Sequence, residues 1–148
     1  YCAILPSVSN IKVNGADNAN IPLIESGYIN LTFNTKLDIN QLPLVLYAVD
    51  WGDGDDKKIV VTGVEMRDRP NPDNPHSIYH SYSYWDLKSK ANQGVSGIDC
   101  SAAGECRVKP KVQIKDNWGW CNKGQVINNC GPNQWDSFNG WVVVKENN

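Results

Sequence analysis

Apolar and polar residues alternate along several short stretches of the chain, which is the pattern of strands with one buried and one wet face. In the clearest stretch, Tyr28 to Leu37, the side chains of Ile29, Leu31 and Phe33 would share the buried face. Ser7 to Val13 alternates in the same way and runs into an Asn-Gly turn sequence. Both stretches are therefore predicted to be β-strands.

Further strands are predicted from runs that are rich in apolar and β-branched residues. Leu42 to Trp51 is largely apolar and is predicted to be the central strand, buried on both sides or covered by another element at an edge. Lys58 to Met66 is predicted to pair with it. Proline interrupts Ile21 to Ile24 and Arg107 to Lys115, which indicates an edge, a linker or a bulge. Trp141 to Lys145 is predicted to be the last strand.

The order of these elements predicts an all-β protein with little helix. Seven short strands separated by turn sequences favour a two-sheet antiparallel β-sandwich over a barrel. A short helix is predicted from Trp85 to Ala91, and long loops are predicted in the C-terminal half, at Asn92 to Glu105 and at Asp116 to Asp136. At 148 residues the whole chain, 1–148, is predicted to form one domain.

The central run ends abruptly at the sequence Val-Asp-Trp-Gly-Asp-Gly, residues 49–54. A buried strand that stops at such a sequence is predicted to enter a tight turn, because Gly52 and Gly54 can adopt positive φ at little cost. Neighbouring residues of a strand point to opposite faces, so Trp51 is predicted to point inward and Asp50 toward the loops. Asp53 can accept hydrogen bonds from backbone N–H groups of the turn.

Two later elements accompany this turn sequence: His80-Ser81-Tyr82, and the stretch 112–119 with Asp116 and Gly119. The three elements, in this order, resemble the motifs of PKD domains, the immunoglobulin-like modules named after polycystic kidney disease protein. The resemblance covers about residues 7–119. It departs from the family pattern at Val49, where the family has Trp, at Trp51, where it has Phe, and in a cysteine-bearing insert at about 88–105.

The resemblance implies an immunoglobulin-like sandwich in which His80 makes a structural hydrogen bond near the turn. It also implies a non-catalytic extracellular module, acting as a spacer, an adhesion or protein-binding unit, or a subunit of a surface assembly. Protein or glycan partners at the cell surface are expected, and exposed edge strands would allow self-assembly. Some PKD domains bind calcium, so Asp50 and Asp53 are candidate calcium ligands, with a solvated acidic turn as the alternative.

Charge and hydropathy exclude some classes of function. The net charge is −2 and the lysines are scattered, so a nucleic-acid-binding surface is not expected. The longest apolar runs are too short to span a bilayer. Because Tyr1-Cys2 is not a natural beginning, the chain is expected to be part of a longer secreted or surface protein.

Five cysteines point to an oxidising compartment. Two close pairs in loop-like sequence predict the disulfides Cys100–Cys106 and Cys121–Cys130, and Cys2 is left over. A four-cysteine zinc site is the alternative, but neither pair has the short spacing of structural zinc sites.

The sequence contains no recognisable catalytic motif, so the chain is predicted not to be an enzyme. The only histidines, His76 and His80, are four residues apart and would share one strand face. They could hold a metal ion, although the resemblance favours a structural role for His80, and His76 is expected in a loop after Pro75.

The six tryptophans leave two interpretations open. Trp51, Trp85 and Trp141 lie in strand-like sequence and are expected in the core. Trp118, Trp120 and Trp135 lie in or beside the long C-terminal loop, where they would either bind a sugar ring or a protein partner or cover the end of the sandwich. The first interpretation gives the alternative function, a carbohydrate-binding accessory module of a secreted enzyme. A glycosylation sequon is present at Asn30.

Overall fold

The computed structural model describes residues 6–24, 27–36, 44–54, 58–61, 75–116, 119–122, 124–125 and 135–146. The described part of the chain is mostly β-strand with one short helix, α1, and the predicted all-β class is confirmed. The strands are β1 Ser7–Val13, β2 Ile21–Ile24, β3 Tyr28–Lys36, β4 Leu44–Asp50, β5 Lys58–Val61, β6 His76–Ser81, β7 Glu105–Val108, β8 Lys111–Asp116, β9 Trp120–Cys121, β10 Gly124–Gln125, β11 Asp136–Ser137 and β12 Val142–Lys145; the helix α1 is Tyr84–Asn92.

The described strands form three hydrogen-bonded sheets, where the sequence predicted two. The first has the order β1-β3-β6, the second the order β10-β9-β8-β4-β5 with β11 paired to β8, and the third the order β2-β12-β7. All pairs are antiparallel except β2 and β12, which run parallel with Ile21 opposite Val142. Proline is tolerated in β2 because the strand lies at the end of its sheet order.

All three sheets contribute buried side chains to one hydrophobic core, and the strand patterns account for them. In β3 the side chains of Ile29, Leu31 and Phe33 are fully buried and their neighbours are not, so the predicted alternation is confirmed. In β4 three consecutive residues, 47–49, are buried, as expected for a strand covered on both sides. The rest of the core comes mainly from β7, β8, β12 and the helix.

One predicted strand is two strands in different sheets. Arg107 to Lys115 divides at Lys109-Pro110: β7 pairs with β12 in the third sheet, and β8 pairs with β4 in the second. Pro110 has no backbone N–H to donate to a strand neighbour, so the chain changes sheets at this point. The predicted loop position of His76 is also wrong, because His76 is the first residue of β6 and pairs with Phe33 of β3.

The helix is close to its predicted position and has ordinary end signals. Ser83 caps its N-terminus by accepting a hydrogen bond from the Asp86 N–H at 3.3 Å. Lys90 in the last turn lies 2.9 Å from the Asp86 carboxylate, an i,i+4 pair. Leu87 packs into the core, whereas Trp85 is 58% exposed on the opposite side, so the expectation that Trp85 is a core residue is wrong.

Candidate functional site

The turn that follows β4, residues 51–54, is the best-defined candidate site. Trp51 points inward and is 4% exposed, and Asp53 is equally buried. Gly52 and Gly54 have φ of 77° and 80°, and the Gly52 N–H donates to Asp50 Oδ1 at 3.0 Å. A Cβ atom on Gly52 would lie 2.9 Å from the carbonyl oxygen of Lys109, so glycine is required here for space as well as for φ.

His80 of β6 reaches this turn from the first sheet. Its Nε2 atom lies 2.6 Å from Asp53 Oδ2, and its ring stacks on the Trp51 ring with a centroid distance of 4.3 Å and an angle of 4°. His80 thus joins β6 to the turn by a polar contact with Asp53 and an aromatic contact with Trp51. The contact was predicted from the His80-Ser81-Tyr82 element, and the structure contains it.

Tyr82 makes the second contact between this element and the turn. Its hydroxyl donates to the Trp51 carbonyl at 2.7 Å, and its ring lies nearly perpendicular to the His80 ring at 4.9 Å. Burial raises the pKa of Tyr82 well above its ordinary value, and the carboxylates of Asp53 and Asp50 add to the effect. The hydroxyl therefore keeps its proton and remains a hydrogen-bond donor.

A third contact, from the helix, was not predicted. Lys90 Nζ donates to the Asp53 carbonyl at 2.9 Å, and the Lys90 side chain lies beside Gly54. The sequence gives no signal for this contact. A lysine in the last turn of a helix is already explained by an i,i+4 pair, here with Asp86, and by its favourable interaction with the helix dipole.

The third element of the resemblance, 112–119, begins beside this turn, with Val112 opposite Val49, but its Asp116 end lies away from it. Asp116 lies opposite Leu44 at the far end of β4, whereas Asp50 lies opposite Lys111 at the near end. There Asp116 is buried and closes a separate turn: its Oδ1 accepts from the Trp120 N–H at 2.9 Å, and its carbonyl accepts from the Gly119 N–H at 3.1 Å. Gly119 has φ of 82°, which suits that turn.

The acidic residues of the first turn have partners within the protein. Asp50 Oδ2 lies 3.8 Å from Lys111 Nζ, and Asp53 is bound by His80. Within the described ranges, no group of three or more His, Cys, Asp or Glu side chains could hold a metal ion. Calcium at Asp50 and Asp53 stays a prediction, and the neighbouring residues 55–57 lie outside the described part.

The two histidines have different surroundings. His76 stacks on Phe33 at 4.8 Å, and its Nε2 lies 3.3 Å from the Thr35 hydroxyl. Burial lowers the pKa of His76, which favours the neutral ring. The two histidine rings thus pack in different places: His76 on Phe33 of β3, and His80 on Trp51 of the turn.

The cysteine predictions are partly confirmed. Cys100 and Cys106 form a disulfide, which ties the loop after the helix to β7. Cys121 is buried and disulfide-bonded. Its predicted partner Cys130 and the remaining Cys2 lie outside the described residues.

The three tryptophans predicted as a sugar platform differ in exposure, and one of them lies outside the described residues. Trp135 is 8% exposed, with Lys111 Nζ at 5.3 Å from its ring centre. Trp120 is half-buried, and Trp118 lies outside the described residues. Trp141, expected in the core, is half-buried instead and has Lys109 Nζ at 4.7 Å from its ring centre.

Helix α1 is far too short to cross a bilayer, and none of the described residues forms a helix long and apolar enough to do so. Comparison of the chain with protein-family models, with curated proteins and with solved structures gave no match.

Proposed function

We propose that this chain is a non-catalytic structural or adhesion module of an extracellular, surface-exposed protein. The observation that carries the proposal is that polar groups of the turn form hydrogen bonds to side chains of other elements. Asp53 binds His80, the Trp51 carbonyl accepts from Tyr82, and the Asp53 carbonyl accepts from Lys90. These bonds join three elements of the fold, which is what a structural motif requires.

The Asp53–His80 pair differs from the pair that activates a nucleophile. In hydrolases a carboxylate orients a histidine whose second nitrogen faces a nucleophile and a substrate cleft. Here the His80 ring lies flat on Trp51 and is contacted by Tyr82, and the Asp53 side chain is 6% exposed. The pair is therefore proposed to hold the turn against β6, in agreement with the role that the PKD resemblance implies for His80.

The disulfide supports an extracellular location. Cys100 and Cys106 are joined within a short loop, and such bonds persist in oxidising compartments. The disulfide would stabilise a spacer or adhesion unit outside the cell, because it lowers the conformational entropy of the unfolded chain.

The location can be tested on intact cells of the source organism. An antibody raised against the purified domain should label non-permeabilised cells, and protease added outside should remove the signal. An antibody against a cytosolic protein serves as the control and should label permeabilised cells only. Labelling that requires permeabilisation would overturn the proposed location.

The second candidate function is carbohydrate binding as an accessory module. Of the platform predicted from the C-terminal loop, Trp135 is buried, so this residue does not support sugar binding. A different feature favours this function: a solvent-open cleft lies beside the turn and has Trp141 in its wall. A glycan array with the purified domain would test carbohydrate binding. If the domain binds none of the glycans, this candidate function is refuted.

A further inference from the structure

A cleft of about 720 Å³ opens beside the turn after β4, and Asp50, Gly52 and Gly54 of this segment line it. We call it the turn cleft; its described lining includes Asp50, Gly52, Ser96, Lys109, Lys111 and Trp141. Its volume lies within the roughly 300–1,000 Å³ of ordinary ligand sites. Four separate segments build it, so its shape depends on the whole fold rather than on one loop.

The described lining of the turn cleft carries more positive than negative charge, in a protein whose net charge is negative. It includes two lysines, Lys109 and Lys111, and one carboxylate, Asp50, while the whole chain carries −2. The Lys111–Asp50 distance of 3.8 Å is too long for a hydrogen bond. Lys111 Nζ thus has donors for a ligand, and more than a third of its side chain is exposed.

Lys109 contributes charge from a fixed position. Its Nζ donates to the carbonyls of Phe138 at 3.1 Å and Gly140 at 2.8 Å and lies over the Trp141 ring. Burial lowers the pKa of Lys109, because its ammonium group has lost part of its hydration. An anion in the cleft would stabilise the charged form that burial disfavours.

The other walls suit a sugar ring. Trp141 supplies an aromatic surface, and aromatic rings pack against the C–H faces of sugars. Ser96 and Ser137 supply hydroxyl groups, which can both donate and accept.

From this combination we infer that the turn cleft binds an acidic saccharide, with a uronate carboxylate beside Lys111 and the sugar ring near Trp141. This site presupposes that the chain works as an extracellular binding module, and it gives that module a class of partner.

The inference is tested by titrating the purified domain with a galacturonate trimer, followed by calorimetry and by the NMR signal of the Trp141 indole N–H. The neutral galactose trimer and a short oligoglutamate peptide are the comparison ligands. We expect binding of the uronate trimer, a shift of the Trp141 signal, and binding of the neutral trimer that is weaker by about tenfold or more. Raising the salt to about 0.5 M should weaken uronate binding, because the contacts are charged.

Variants locate the site. Lys111→Gln should weaken uronate binding by about tenfold, whereas Lys12→Gln, on β1 of the first sheet, makes the same change in net charge and should alter it by less than about twofold. Equal losses in the two variants would indicate attraction by net charge and overturn the inference.

Two other outcomes would also overturn it: no uronate binding at millimolar concentration, or Lys111-dependent binding of oligoglutamate alone, which would indicate an acidic protein segment as the partner. Either result leaves the surface labelling of cells unaffected, so it can be distinguished from failure of the proposed location.

Discussion

Replacement of His80 by alanine tests the structural role of the turn most directly. The change removes the 2.6 Å contact with Asp53 and the ring stacked on Trp51. Disrupting a buried hydrogen bond costs about 1–3 kcal/mol, and losing an aromatic contact costs about 0.5–1.5 kcal/mol. Because 22% of the His80 side chain is exposed, water can replace part of the lost bond. We therefore expect His80→Ala to lower the free energy of unfolding by about 2 kcal/mol.

Urea denaturation followed by tryptophan fluorescence measures this loss, since Trp51 lies in direct contact with the site. Ser81→Ala is the matched control, because Ser81 is the exposed neighbour on the same strand and should change stability by less than about 0.5 kcal/mol. Tyr82→Phe removes only the hydroxyl bonded to the Trp51 carbonyl and should cost about 1 kcal/mol.

Two results would refute the reasoning about His80. The first is a loss for His80→Ala no larger than that for Ser81→Ala, which would mean that the contact with Asp53 contributes no stability. The second is a hydrolytic activity of the wild-type domain that disappears in His80→Ala while the melting temperature stays the same. That outcome would make His80 a catalytic residue.

Three further predictions concern other parts of the fold. Gly52→Ala should destabilise by about 2 kcal/mol or more, measured by urea denaturation, because of its positive φ and the nearby Lys109 carbonyl; wild-type stability would contradict this. Cys100→Ser should lower the free energy of unfolding by about 2 kcal/mol, because the short disulfide-closed loop is lost. A reducing agent should remove this contribution from the wild type, whereas the variant has no such contribution to lose. Burial lowers the pKa of His76, so the folded state binds fewer protons, and stability should fall as the pH drops below about 6.5. His76→Phe should weaken this fall, and an unchanged pH profile would contradict the assignment.

The local pattern of apolar and polar residues was enough to predict the strands in which buried side chains alternate or form one continuous run. The alternation in β3 and the three buried residues of β4 are visible in the sequence, because each side chain's environment is set by its own strand. The turn at 51–54 was also predictable, because an apolar run stops abruptly at two glycines that can adopt positive φ at little cost. The approach of His80 to this turn was predicted from motif resemblance rather than from spacing.

The errors arise where tertiary packing decides. Val108 and Val112 are both fully buried and look like one apolar face, yet they lie in different sheets because the chain crosses between them at Pro110. Trp85 is expected in the core because it lies in strand-like sequence, but it is part of a helix that buries Tyr84 and Leu87 instead. Lys111 and Trp141 are 30 residues apart in sequence, so the turn cleft that they share left no local signal.

The parallel pairing of β2 with β12 has a mechanical consequence. The two strands run in the same direction, with four residue pairs from Ile21–Val142 to Ile24–Lys145. Tension that enters the chain before Ile21 and leaves it after Lys145 would pull the strands past one another along their length. Every hydrogen bond between them would then be loaded at the same moment, in shear, instead of opening one after another. A surface protein exposed to flow or traction would gain a force-resistant clamp from this pair, provided that the load follows that path.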